Sequence, residues 1–250
     1  MWRGVGVALV TLFDGSGGLD AAGTAALAAR LVDAGVRGVL VAGSTGEADT
    51  LTDDERVELI AAVAAACPGV PVLAGASGGW TGATARRVAA AVGAGADAVL
   101  VAPPRRPGDL AAYYAAAGAA ARGAPVLAYH YPPVAGGAVP VDALPHLPVR
   151  ALKDSSGDAE RLAAELSTWD GDVYVGAATL CGYAGWLGAA GAILAVANAA
   201  PEDSVAAFGG DPEAQRRLFR VHLAAREAFP HGLKHLVARR YGTPTASRQG

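Results

Sequence analysis

Two lysines stand out in a chain whose positive charge is otherwise carried by arginine. Of 20 basic residues only Lys153 and Lys234 are lysines. Arginine serves as well as lysine for a surface charge, but its guanidinium never gives up its proton to become a nucleophile. Lys153 closes the apolar run 149–152, which places its stem against hydrophobic wall. Desolvation there disfavours the ammonium and leaves a free amine near neutral pH. Tyr129 ends another apolar run, and a phenol beside such an amine can carry protons to and from a carbinolamine. The string Gly43-Ser44-Thr45-Gly46-Glu47 offers backbone N–H groups and two hydroxyls, suited to holding a carboxylate and relaying a proton. Each has a plainer alternative: a strand-end lysine paired with a surface carboxylate, a core tyrosine bonded to backbone, and an ordinary strand-to-helix turn.

These residues need a frame that brings them together. Short Val-rich runs cover residues 5–12, 36–42, 70–74, 98–102, 126–129, 150–153, 173–175 and 192–196. They are too short for helices and too continuously apolar for one-faced strands, as parallel strands buried on both sides should be. Ala/Leu/Arg stretches of helical period lie between them. Thr52-Asp53-Asp54-Glu55 reads as a capping box, Gly35 and Gly95 as helix C-terminal glycines, and the acids of Gly157-Asp158 and Pro201-Glu202-Asp203 as first-turn residues. Eight strand–helix alternations with right-handed crossovers predict a (β/α)8 TIM barrel. The barrel is expected over residues 1–200, with the last barrel helix and a short C-terminal helical extension over 201–250. A doubly wound sheet is the competing architecture, but no GxGxxG follows the first strand. In a barrel the site forms at the C-terminal strand ends, where Lys153, Tyr129 and the 43–47 string all fall.

Composition narrows the function. A net charge of −3 without a basic run gives no sign of nucleic acid or an anionic membrane as partner. Cys67 and Cys181 lack ligand spacing and read as small buried hydrophobes in a reducing compartment. With no signal-peptide layout and no spanning apolar run, a cytoplasmic protein is expected. His231 and His235 share a metal-ligand spacing, but without a companion acid they read as a solvated pair. Strand alternation turns His130 away from Tyr129, into packing. No metal or nucleotide cofactor is expected.

The strings GSTGE at 43–47, YHYPP at 129–133, LKDSSGD at 152–158 and GAAGAILAVANAAPE at 188–202 resemble the dihydrodipicolinate synthase / N-acetylneuraminate lyase family of Schiff-base aldolases, in register from about Gly4 to Glu202. The resemblance implies Lys153 as the Schiff-base residue, Tyr129 as proton shuttle, and Ser44 and Thr45 as carboxylate and relay hydroxyls. Gly43, Gly46 and Ala195 then fall at substrate-binding positions. It implies pyruvate or another 2-oxo acid, with an aldehyde partner, and a homodimer or homotetramer.

The departures bear on the substrate. Dihydrodipicolinate synthases carry an Arg two positions after the Pro of Y-x-x-P; here it is Val134. Arg105 falls where their relay Tyr would be, and is either a bidentate grip on a carboxylate or phosphate or a solvent-facing charge. The seventh strand ends in Gly176-Ala177-Ala178, without the polar group common there. The pattern is closest to 2-keto-3-deoxy sugar acid aldolases, and reversible cleavage of such an acid to pyruvate and an aldehyde is the expected reaction. The alternatives are 4-hydroxy-tetrahydrodipicolinate synthase, a 2-oxo acid dehydratase of the same family, and a non-catalytic keto-acid sensor. The chain also stops soon after Arg240, so the C-terminal helical layer that assembles tetramers is expected to be reduced.

Overall fold

The computed structural model describes residues 1–106 and 108–249. Eight parallel strands close into a barrel in chain order: β1 (Gly4–Ala8), β2 (Gly38–Val41), β3 (Val72–Gly75), β4 (Ala98–Val101), β5 (Val126–His130), β6 (Ala151–Asp154), β7 (Asp172–Val175) and β8 (Gly191–Leu194). The ring closes with Val5 opposite Ala192 and Val7 opposite Leu194. The Val-rich runs form strands because both of their faces are buried. Val7, Val39, Val72 and Val99 point outward into the core under the helices, while Ala8, Leu40, Leu73 and Leu100 fill the barrel interior. At its N-terminal end Trp2 and Tyr174 stack at 4.5 Å, and the Tyr174 hydroxyl donates to the Trp2 carbonyl at 2.6 Å.

The helices are α1 (Ala21–Asp33), α2 (Asp53–Ala66), α3 (Thr81–Gly93), α4 (Leu110–Ala121), α5 (Ala159–Thr168), α6 (Cys181–Trp186), α7 (Pro201–Phe208), α8 (Pro212–Arg226) and α9 (His231–Tyr241). Thr52 and Glu55 form the expected capping box on α2. Asp158 is not in a first turn: it is the N-cap of α5, accepting from the Glu160 and Arg161 N–H groups. Gly35 and Gly95 follow their helices at φ +101°, a conformation that favours glycine.

Two details differ from the simple alternation. The β5–β6 connection carries no α-helix among the described residues, only a 3-10 turn at Leu144–His146. Pro140, Pro145 and Pro148 leave no proline-free stretch long enough for a helix to propagate. β1 also ends at Ala8 rather than running on to Leu12. There the buried Asn198 side chain replaces the ladder, accepting from the Val10 N–H at 3.1 Å and donating to the Ala8 carbonyl at 2.7 Å.

Candidate active site

Alternation along the strands decides which side chains enter the barrel. Leu127 and Tyr129 of β5 and Ala151 and Lys153 of β6 all lie on inward positions, and Tyr129 pairs with Lys153 in the β5–β6 register. The amine sits 4.7 Å from the centre of the Tyr129 ring. Above them opens a cavity of about 780 Å3 at the C-terminal strand ends. Its floor is made of small residues, Ala8, Ala42, Gly75, Gly176 and Ala195, so the tops of the strands leave room for a ligand. Gly176 is the tightest: a Cβ there would lie 1.9 Å from Ser155 Oγ and 3.1 Å from Lys153 Cε. The absence of a side chain at Gly176 therefore makes room chiefly for the Ser155 hydroxyl, with the Lys153 stem packed close behind it.

Lys153 is buried, and burial alone lowers its pKa from the usual value to about 7. Near neutrality much of it is a free amine beside an aromatic face. Burial raises the Tyr129 pKa, while hydrogen bonding from Ser44 and Ser155 lowers it in opposition. The phenol stays protonated, and Ser44 and Ser155 line the cavity with it, an arrangement able to pass a proton.

The outward residues of the same strands brace this arrangement. His130 Nδ1 accepts from the Val139 N–H at 3.0 Å, and burial with the nearby Arg161 holds its pKa below the usual value. Asp154 accepts from the Ser156 N–H at 2.8 Å and the Ser156 hydroxyl at 2.9 Å, which fixes the turn after Lys153. Arg161 lies 2.8 Å from Glu165 and 3.5 Å from Asp154, tying α5 to the end of β6.

The 43–47 string forms a 3-10 turn, Ser44–Gly46, between two non-glycine residues at positive φ, Ala42 at 49° and Glu47 at 54°. Gly46 packs into a corner where a Cβ would lie 2.9 Å from both the Leu9 carbonyl and Thr11 Oγ1. The Thr11 hydroxyl donates to the Gly46 carbonyl at 2.7 Å. Gly43, Ser44 and Thr45 line the cavity, as do Val134 and Ala195. Gly46 braces the turn without lining it, and Arg105 is solvent-exposed and outside the lining. Ser155, Ser156 and Thr179, given no role from the sequence, also line the cavity. Only the LKDSSGD string hinted at the first two.

Among the described residues no three His, Cys, Asp or Glu side chains are grouped to hold a metal. His235 is exposed on α9. Cys67 and Cys181 are buried and free, and burial pushes the Cys181 thiol up to about 12. No helix among the described residues is long and apolar enough to cross a membrane.

A closed parallel barrel with a buried lysine at the C-terminal strand ends has the arrangement that an imine-forming barrel lyase needs. The chain belongs to the dihydrodipicolinate synthetase family, whose family model matches residues 1–214. It is 36% identical over 210 residues to a 4-hydroxy-tetrahydrodipicolinate synthase of Corynebacterium aurimucosum, covering 79% of this chain and 68% of the relative. It is 35% identical over 243 residues to 4-hydroxy-tetrahydrodipicolinate synthase 1 of Streptomyces coelicolor, covering 93% and 74%. Among solved structures, a dihydrodipicolinate synthase of Bacillus anthracis superposes with a TM-score of 0.89 at 26% identity, covering 100% of this chain and 92% of that one. The prophage protein YagE of E. coli, solved with pyruvate, gives a TM-score of 0.89 at 25% identity, covering 99% and 91%. The protein is thus a class I lyase of this family.

Proposed function

We propose that the protein is a pyruvate-dependent class I aldolase that reversibly cleaves a 2-keto-3-deoxy sugar acid to pyruvate and an aldehyde. The observation that carries the reading is the buried amine of Lys153, lowered to about pKa 7 and set against Tyr129. The neutral amine adds to the C2 carbonyl, and the carbinolamine loses its hydroxyl as water with a proton from Tyr129. The resulting iminium withdraws electrons from the C3–C4 bond. The Tyr129 phenolate then takes the proton of the C4 hydroxyl as that bond breaks, releasing the aldehyde and leaving the enamine. A proton returned to C3 and hydrolysis by water release pyruvate and restore the amine. Ser44 and Thr45 hold the carboxylate so that the reacting bond stays aligned with the imine.

The sugar-acid preference rests on what surrounds the far end of the substrate. Val134 stands where the synthases carry an arginine, and hydroxyls of Ser155, Ser156 and Thr179 line the cavity. Arg56, Arg87 and the exposed Arg226 also reach it, and the guanidinium groups of the first two are engaged. Arg56 donates to the carbonyls of Ala48 and Gly75, and Arg87 donates to Asp53 and the Ser77 carbonyl. The hydroxyls of such a lining suit a polyhydroxylated aldehyde.

The synthase names of the curated relatives favour a second reading, 4-hydroxy-tetrahydrodipicolinate synthase. Incubation with 2-keto-3-deoxygluconate, with pyruvate release followed continuously, separates the two. Steady release, with no condensation of pyruvate and aspartate semialdehyde, is the expected result. Condensation without cleavage of the sugar acid would replace the aldolase reading with the synthase one. Val134→Arg is expected to give no gain with aspartate semialdehyde.

A further inference from the structure

The second lysine has no place in the reaction above, yet it is as deeply buried as the first. Lys234 of α9 forms an ion pair with Glu47, the last residue of the 43–47 turn, and both side chains are fully buried. The Lys234 amine also donates to the Ala246 carbonyl at 2.6 Å. Glu47 then collects three donors from the segment that follows: the Ser247 hydroxyl at 2.8 Å, the Arg248 N–H at 2.8 Å and the Gln249 N–H at 3.1 Å.

The same segment grips the turn from its other side. Arg248 pairs bidentately with Glu55 of α2 at 2.5 and 2.9 Å and donates to the Thr50 carbonyl at 3.1 Å. The Phe13 ring lies between Lys234 and Arg248, 4.5 Å from each. Gln249 donates to Asp49 at 2.6 Å and reaches the cavity lining.

This network anchors a backbone that would not hold its shape alone. Ala42 and Glu47 bracket the turn at positive φ, each strained for a residue with a side chain. Glu47 lacks glycine's freedom there, so its carboxylate contacts are what keep it in that conformation. A lysine rather than an arginine suits the spot, since a compact ammonium fits beside one carboxylate oxygen and one carbonyl.

We propose that Glu47 and Lys234 are positioning residues for the reaction: their buried pair, clamped by residues 246–249, holds the 43–47 turn so that Ser44 and Thr45 face Lys153. The proposal rests on the reading that these two hydroxyl residues hold the carboxylate of a 2-oxo acid. It explains why an amine persists at residue 234 in an arginine-rich chain, and why α9 packs against the barrel's catalytic end.

The test compares wild type with the double variant Glu47→Gln/Lys234→Met, which removes both charges together and so leaves neither buried alone. A second variant, Ser247→Ala/Arg248→Ala, keeps the pair and loosens the clamp. Borohydride trapping of pyruvate on Lys153 is measured against pyruvate concentration and pH. In the double variant half-saturation is expected to rise roughly tenfold, the change that ~1.4 kcal/mol of lost alignment produces. The clamp variant is expected to shift in the same direction by less, and the pH midpoint and saturating yield to hold in both. A merely structural role would lower the saturating yield through a smaller folded fraction and leave half-saturation alone. That result, or unchanged trapping in both variants, would overturn the proposal. If wild type traps no pyruvate, it is the functional reading that fails. The positioning claim is then decided by amide exchange over residues 43–48: faster exchange in the double variant supports it, and unchanged exchange overturns it.

Discussion

Lys153 stands in a wall that leaves its charge unsolvated. Burial lowers its pKa from the ordinary 10.5 to about 7, so the amine is half deprotonated near neutrality. The acid limb of kcat/KM is accordingly expected near pH 7, falling about tenfold per pH unit below it. An acid limb displaced by two units or more would assign the titration to another group. Lys153→Ala is expected to abolish turnover with the fold intact, and Tyr129→Phe to cost roughly 10²–10⁴-fold in kcat. Both residues could be singled out in the sequence because they stand in the strings at 129–133 and 152–158 that carry the family resemblance, whereas their places at the ends of apolar runs left a plainer reading open. Ser155 and Gly176 could not be, since their roles depend on a cross-strand approach that no local spacing encodes. The Gly176-Ala177-Ala178 string read only as lacking a polar group, and the structure adds that the bare Gly176 makes room for the Ser155 hydroxyl beside the lysine stem.

Elements set how exactly those residues meet. Gly176→Ala would drive a methyl into Ser155 and against Lys153. It is expected to slow imine formation far more than it lowers the melting temperature, as trapping rates and thermal unfolding measured together would show. Asn198 tests the opposite case. It makes three hydrogen bonds, to the Val10 N–H and the Ala8 and Ala195 carbonyls, across the seam where β8 closes on β1. Asn198→Ala leaves buried backbone groups unpaired and is expected to cost about 3 kcal/mol of stability in denaturant unfolding. All eight strands could be placed from Val-rich runs, because burial on both faces leaves a continuous apolar signature. The end of β1 could not, since the residue that stops it lies 188 positions away. The absent helix between β5 and β6 was written in Pro140, Pro145 and Pro148, and the regular alternation elsewhere masked it.

At the scale of the whole molecule, a buried amine links stability to pH. Lys153 titrates near 7 when folded and near 10.5 when unfolded, so between these values the unfolded chain binds more protons. Stability from this residue therefore rises with pH across that window, by at most ~1.4 kcal/mol per pH unit, and its penalty is fully present below pH 7. Relative to Lys153→Met, the wild type is expected to gain stability from pH 7 to 10. Parallel curves for the two would show that the lysine is not desolvated in solution. Fold and chemistry meet in that one side chain, so its covalent capture by substrate is the most direct test of the account. The protein is incubated with pyruvate and borohydride, and the adduct is located by peptide mass spectrometry. Lys234 lies buried in its ion pair with Glu47, which leaves a single lysine able to react. The account predicts a reduced pyruvyl adduct on Lys153 and none on Lys234. A folded protein that leaves Lys153 unmodified by pyruvate and by longer 2-oxo acids would contradict it.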